Sequence, residues 1–150
     1  MKAVKNIFAS LTFFALLTQF SVAADGWLTD INSGIAKAKA EKKSVLVEFT
    51  GSDWCPPCIM MHDKVFSKKE FTSKASEKFV LVKIDIPTKD KALYKKNSKV
   101  LGEYKVEGVP TVILLDYNGA EFSRFLASRY PSVDGFLSNL NQSLEKKEME

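Results

Sequence analysis

Val45-Leu46-Val47-Glu48-Phe49 runs through Gly51-Ser52-Asp53 into Trp54-Cys55-Pro56-Pro57-Cys58, and this succession decides the fold. The apolar run is too continuous for a surface strand, so residues 44–50 read as a strand covered on both faces. The glycine-led triplet is the loop that ends it. Beyond the motif, Ile59-Met60-Met61-His62-Asp63-Lys64-Val65-Phe66 has helical patterning, which predicts one helix from about Pro56 to Phe66, with Lys69 as its outer limit. The two cysteines are the only ones in the chain, and two residues separate them. On the first turn of a helix that spacing lets the sulfurs bond. It also faces the first thiol toward unpaired N–H groups and the positive end of the helix dipole, which favour the attacking thiolate. The pair reads as redox-active, with a plain structural staple as the alternative.

Outward from the motif, the chain alternates helix and strand. Upstream, Trp27-Leu28-Thr29-Asp30 leads into a helix over 31–43, with Ile31, Ile35 and Ala38 inward and Lys37, Lys39, Lys42 and Lys43 toward water. Downstream come a short helical piece over 71–78, a strand over 79–86 ended by Pro87, and a helix over 94–104. Gly108-Val109-Pro110 introduces a strand over 111–116. Tyr117-Asn118-Gly119 is a hairpin turn, and residues 120–126 pair back. An amphipathic helix over 133–146 closes the pattern, with Phe136, Leu137, Leu140 and Leu144 inward. This order predicts an α/β domain, a mixed central sheet of about four or five strands flanked by helices on both faces. Helical crossovers imply parallel pairing among the first three strands, and the hairpin implies antiparallel pairing at the end.

Residues 1–24 stand apart. Lys2 and Lys5 precede an uncharged run over 7–20, and Ser21-Val22-Ala23-Ala24 is a small-residue exit. That is a secretory signal pattern, with cleavage expected after Ala24; the run is short for a span of about 20 residues, though an uncleaved anchor is the alternative. Export to the periplasm or medium follows. Removing residues 1–24 from the 150 leaves 126, one domain over 25–150. The formal charge of +4 then falls to +2, too mild to specify a partner. The lysine-rich stretch 89–105 carries only Tyr94 and Tyr104 as aromatics, so it reads as a solvated helix face and no nucleic-acid partner is expected.

With its Trp-Cys-x-x-Cys motif, a preceding strand and a distant Val109-Pro110-Thr111, the chain resembles exported bacterial thioredoxin-fold proteins over roughly residues 27–146. The resemblance implies a thiol–disulfide oxidoreductase. Cys55 would be the exposed nucleophile and Cys58 the buried resolving thiol. Pro110 would lie cis beside them, where the alternative is a simple strand-start proline. Val109 would align an extended substrate, and Trp54 and Pro57 would flank the docking groove, Trp54 having a core position as its alternative. Glu48 takes the place of the family's buried carboxylate, and Lys83 that of its charged partner. Glu48 lies seven positions before Cys55, one more than the usual cytosolic pattern with its Asp, so its reach to Cys58 is open. Outward-facing strand ends or a structural ion pair are the other reading of both residues.

Pro57 removes an amide that could donate to a Cys55 thiolate, which leans the pair toward the reducing end of the family's range. The expected function is reduction of disulfides in exported, cysteine-containing client proteins by a monomer. Electrons would come from a membrane or soluble thiol reductant, because no nucleotide or flavin signature is present and no cofactor is expected. A disulfide oxidase is the nearest alternative. A second, non-enzymatic one is a metal-binding or assembly module using Cys55, Cys58 and His62, which follows Cys58 by four positions.

Overall fold

Ser44–Thr50 forms β1, and all seven of its residues are buried. In the computed structural model, which describes residues 26–149, this strand is the interior of a four-stranded sheet of order β2-β1-β3-β4. The expected signal over 1–24 lies outside the described residues, and no helix among those described is long and apolar enough to cross a membrane. The chain order is α1 (Ile31–Glu41), β1, α2 (Pro56–Met61), α3 (Lys69–Ser76), β2 (Phe79–Asp85), α4 (Lys91–Glu103), β3 (Thr111–Leu115), β4 (Glu121–Leu126) and α5 (Val133–Met149). Leu28 adds a one-residue parallel bridge outside Val82.

The α/β class and the mixed, helix-flanked sheet follow the sequence expectation, but one pairing does not. β1 and β2 are parallel, whereas β3 runs antiparallel to β1. The reason lies in α4. Asn97 Nδ2 donates to the Asp85 carbonyl at 2.6 Å, and the Tyr104 ring sits 6.0 Å from that of Phe49. Both contacts hold α4 at the carboxyl-terminal ends of β2 and β1. The helix therefore does not return the chain to the far end of the sheet, and β3 starts where β1 finishes.

Side-chain alternation along β1 separates two cores. Val45, Val47 and Phe49 join Val82, Ile84, Ile113 and Ile31 on the α1 and α4 face. Gly34 permits that approach, since a Cβ there would lie 2.5 Å from a Val82 methyl. Leu46, Leu81, Val112 and Leu114 face α2, α3 and α5, where Trp27, Phe66, Phe71 and Phe136 pack. Phe136 meets Phe66 edge-on at 5.1 Å and Phe71 at 5.4 Å between centroids. Trp27, rather than Trp54, is the core tryptophan.

The helix expected to run unbroken to Phe66 widens into a π turn over His62–Phe66, closed by Ser67 N–H to the His62 carbonyl at 2.9 Å. The wider turn brings Met61, Val65 and Phe66 all into the aromatic core, which a 3.6-residue period would not do. Phe136→Ala should cost about 3–5 kcal/mol, read as a lowered urea midpoint, because its cavity would open among three rings that cannot collapse together.

Candidate active site

Cys55 is the N-cap of α2, in extended backbone, and Pro56 and Pro57 fill the first helical positions where no intrahelical N–H is needed. The two cysteines are joined as a disulfide with their Cα atoms 5.2 Å apart. Because neither proline carries an N–H, the first-turn amide that reaches the Cys55 sulfur is that of Cys58, at 3.3 Å. On its other side Sγ lies 3.7 Å from the Val109 carbonyl oxygen. The Val109–Pro110 peptide is cis, and the loop is held by the Thr111 hydroxyl donating to the Gly108 carbonyl at 2.6 Å and Ala127 N–H donating to the Pro110 carbonyl at 2.9 Å.

Cys55 is not the exposed residue expected. It is 4% exposed and Cys58 is 1% exposed, so the order is as anticipated but the first sulfur shows only a sliver. The cause is its position in the disulfide, wedged between its own helix turn and the Val109 carbonyl. What faces outward is the surround. Pro56, Pro57 and Ile59 are exposed, Val109 is half-buried and Pro110 is buried. Trp54 is 44% exposed, and its Nε1 donates to the Ile86 carbonyl at 2.8 Å, which fixes the indole beside the motif. The ring lies over Gly51, where an added Cβ would stand 2.5 Å from it.

The loop before the motif is tied to the segment after β2 by a set of bonds that the sequence did not announce. Ser52 donates through its N–H and hydroxyl to the Asp85 carboxylate, at 2.9 and 2.5 Å. The Asp53 carboxylate accepts from Thr88 N–H at 2.8 Å, Thr88 Oγ1 at 3.1 Å and Lys89 N–H at 3.0 Å. The Thr88 backbone N–H is the main cause holding the Asp53 carboxyl below its usual range, helped by the Lys89 N–H, the Thr88 hydroxyl and the Lys89 charge. Asn97, the buried polar residue of α4, anchors the same segment from behind. Polar residues in a loop gave no signal of partners more than thirty positions away.

Beneath Cys58 the sheet supplies the charged pair. Glu48 is 1% exposed and stands in register with Lys83 across β1 and β2 and with Val112 across β3. It shares a sheet face with Leu46, the face that α2 covers. Glu48, Lys83, Cys58, His62 and Asp85 line one cavity of about 260 Å³. Lys83 Nζ also sits 5.3 Å from the centroid of the Trp27 ring. The extra loop residue thus leaves Glu48 on the Cys58 side. Cys55, Cys58 and His62 do not converge as a ligand set, and among the described residues no group of three His, Cys, Asp or Glu side chains could hold a metal. The arrangement can open and close one disulfide next to a backbone edge, with a carboxylate near the inner sulfur.

Residues 26–116 match a family model described as thioredoxin-like. The chain is 33% identical over 90 residues to the disulfide bond reductase DsbH of Chlamydia pneumoniae, covering 58% of this chain and 54% of that protein. It is 28% identical over 121 residues to the thioredoxin-related protein DsbJ of the same organism, covering 79% of this chain and 34% of the relative. The chain therefore spans about half of the first relative's length and about a third of the second's. A solved DsbH oxidoreductase structure aligns with a TM-score of 0.71 at 24% identity, over 95% of each chain, a likeness of fold.

The Asp53 bonds give a pH signature. A carboxyl whose pKa is lower folded than unfolded adds stability that is fully present above the unfolded value, near 3.9, and is lost as pH falls through the folded one. Asp53→Ala should therefore lower the urea midpoint at pH 7, and the two midpoints should converge as pH falls through the lowered folded value.

Proposed function

The chain belongs to the thioredoxin-like family and has its fold, and from that premise we propose that it is a thiol–disulfide oxidoreductase working as a disulfide reductase on exported client proteins. One observation carries the reading: the Cys55–Cys58 pair sits at a helix N-cap with its outer sulfur against the carbonyl of Val109, at the edge of a cis-proline loop. In the reduced protein the Cys55 thiolate attacks one sulfur of a client disulfide. A Cys55–client disulfide forms and the other client sulfur leaves as a thiolate, which takes up a proton. Cys58, once deprotonated, attacks Cys55 Sγ, restores the intramolecular disulfide and expels the second client thiolate. Two electrons pass to the client, and a thiol reductant, membrane-bound or soluble, must return them.

Glu48 then accepts the Cys58 proton, a role supported by the cavity the two residues share and by Lys83 beside Glu48 in register. Val109 offers its half-buried backbone to an extended client segment, and Trp54 and Pro57 wall the approach. The reductase direction is supported by the chemistry of the first turn. A single amide reaches the Cys55 sulfur, where a non-proline residue at 57 would leave another N–H near it. A thiolate so modestly stabilised makes the reduced form a willing donor. The name of the DsbH relative points the same way, and residues 1–24 support placement outside the cytoplasm.

Cys55→Ser should abolish dithiothreitol-driven reduction of insulin. Glu48→Gln should keep formation of the mixed disulfide but slow its resolution by about a hundredfold, measured by quenched-flow alkylation. A pair potential, equilibrated against glutathione, should lie below about −200 mV; a value well above about −180 mV would make the protein an oxidase.

A further inference from the structure

Beside the redox centre, against the loop that carries Val109 and Pro110, lies an open cleft of about 460 Å³. Gly108 and Thr111, the residues flanking Val109 and Pro110, form part of its wall, so it begins one residue from the carbonyl that touches the Cys55 sulfur. Its charge is one-sided: Lys105, Arg124 and Arg129 line it against a single carboxylate, Glu107. Arg124 is already committed. Its guanidinium takes both oxygens of Glu121 at 2.8 Å and donates to the carbonyls of Tyr104 and Lys105 at 2.9 and 3.0 Å. Those bonds hold the cleft wall and the left-handed conformation of Lys105, whose φ is 51°. Lys105 and Arg129 have no carboxylate partner among the described residues, and both are exposed. The short 3₁₀ turn Ala127–Arg129 packs against α2, which ties Arg129 to the helix that carries the cysteines. Leu126 and Val106 give the cleft an aliphatic side.

We propose that this cleft is a client-recognition subsite for an acidic side chain, taking a Glu or Asp that lies two residues from the reacting cysteine of an extended segment. The inference rests on the reductase reading and adds a substrate class to it. In an extended chain, alternate residues return to the same side about every 6.6–6.8 Å, so a client bonded to Cys55 and aligned on Val109 carries its next same-side residue toward the cleft. Lys105 and Arg129 then supply the countercharge, and the aliphatic wall receives the side-chain stem.

The test uses disulfide-bonded peptides identical except for Glu, Ala or Lys two residues from the cysteine, with bis(2-hydroxyethyl) disulfide as a neutral reference. The unaltered protein should reduce the Glu peptide with a kcat/KM about tenfold above the Lys peptide, and the gap should shrink with salt. The double variant Lys105→Glu, Arg129→Glu should invert that order while leaving the neutral disulfide unchanged. Equal rates for all three peptides, or an equal loss on every substrate including the neutral one, would overturn the proposal. Absence of reduction with any substrate would instead remove the reductase reading. In that case the same peptides with Ser for Cys, titrated by NMR, decide the subsite: tighter binding of the Glu peptide sustains it and equal binding ends it.

Discussion

Everything in this molecule depends on β1 being closed on all sides. Its two edges are hydrogen-bonded, to β2 in parallel and to β3 in antiparallel sense, and its two faces are roofed by different helices. A strand so enclosed cannot slip by one residue without exchanging Val45, Val47 and Phe49 for Leu46 and Glu48 between the two cores. The register therefore fixes where β1 ends. Where it ends is where the loop Gly51–Asp53 begins, and from there Cys55 is set at the start of α2. The chemistry at the sulfurs is thus inherited from the packing of a strand.

The same enclosure makes one polar position stand out. Glu48 is carried into the aromatic side of the sheet by alternation, among Leu46, Leu81 and Val112, at the point where α2 crosses above it. A carboxylate there has a large desolvation cost, and the register that sets it beside Lys83 offsets part of it. The pair sits on the wall of the cavity that reaches Cys58.

Around this centre the loops are fastened to one another more than to the core. Ser52 and Asp53 grip the segment after β2, Trp54 bonds to its carbonyl at Ile86, and Asn97 holds it from α4. On the other side, Thr111 and Ala127 pin the Gly108–Pro110 loop. Two loops from opposite edges of β1 are thereby kept at the separation that places Val109 against the Cys55 sulfur. A sulfur packed against backbone needs that rigidity, because a carbonyl cannot adjust by changing rotamer.

The sequence by itself determined the chemistry and the class. Two cysteines at helical-turn spacing, prolines that remove the intervening amides, a Val-Pro-Thr before a strand and the two hydrophobic periods are all short-range patterns, and short-range patterns survive in a string of letters. Only the tertiary structure decided which face of β1 Glu48 occupies, that β3 runs against β1, that the helix after Cys58 widens at His62, and that Cys55 is nearly covered. Alternation says that neighbours point to opposite faces but not which helix covers either face. The partners of Ser52 and Asp53 stand 33 to 36 positions away, brought near by strand order alone. A basic cleft gathered from α4's end, β4 and the turn after it is likewise a property of the folded surface, because its charges come from segments that meet only once the sheet has closed.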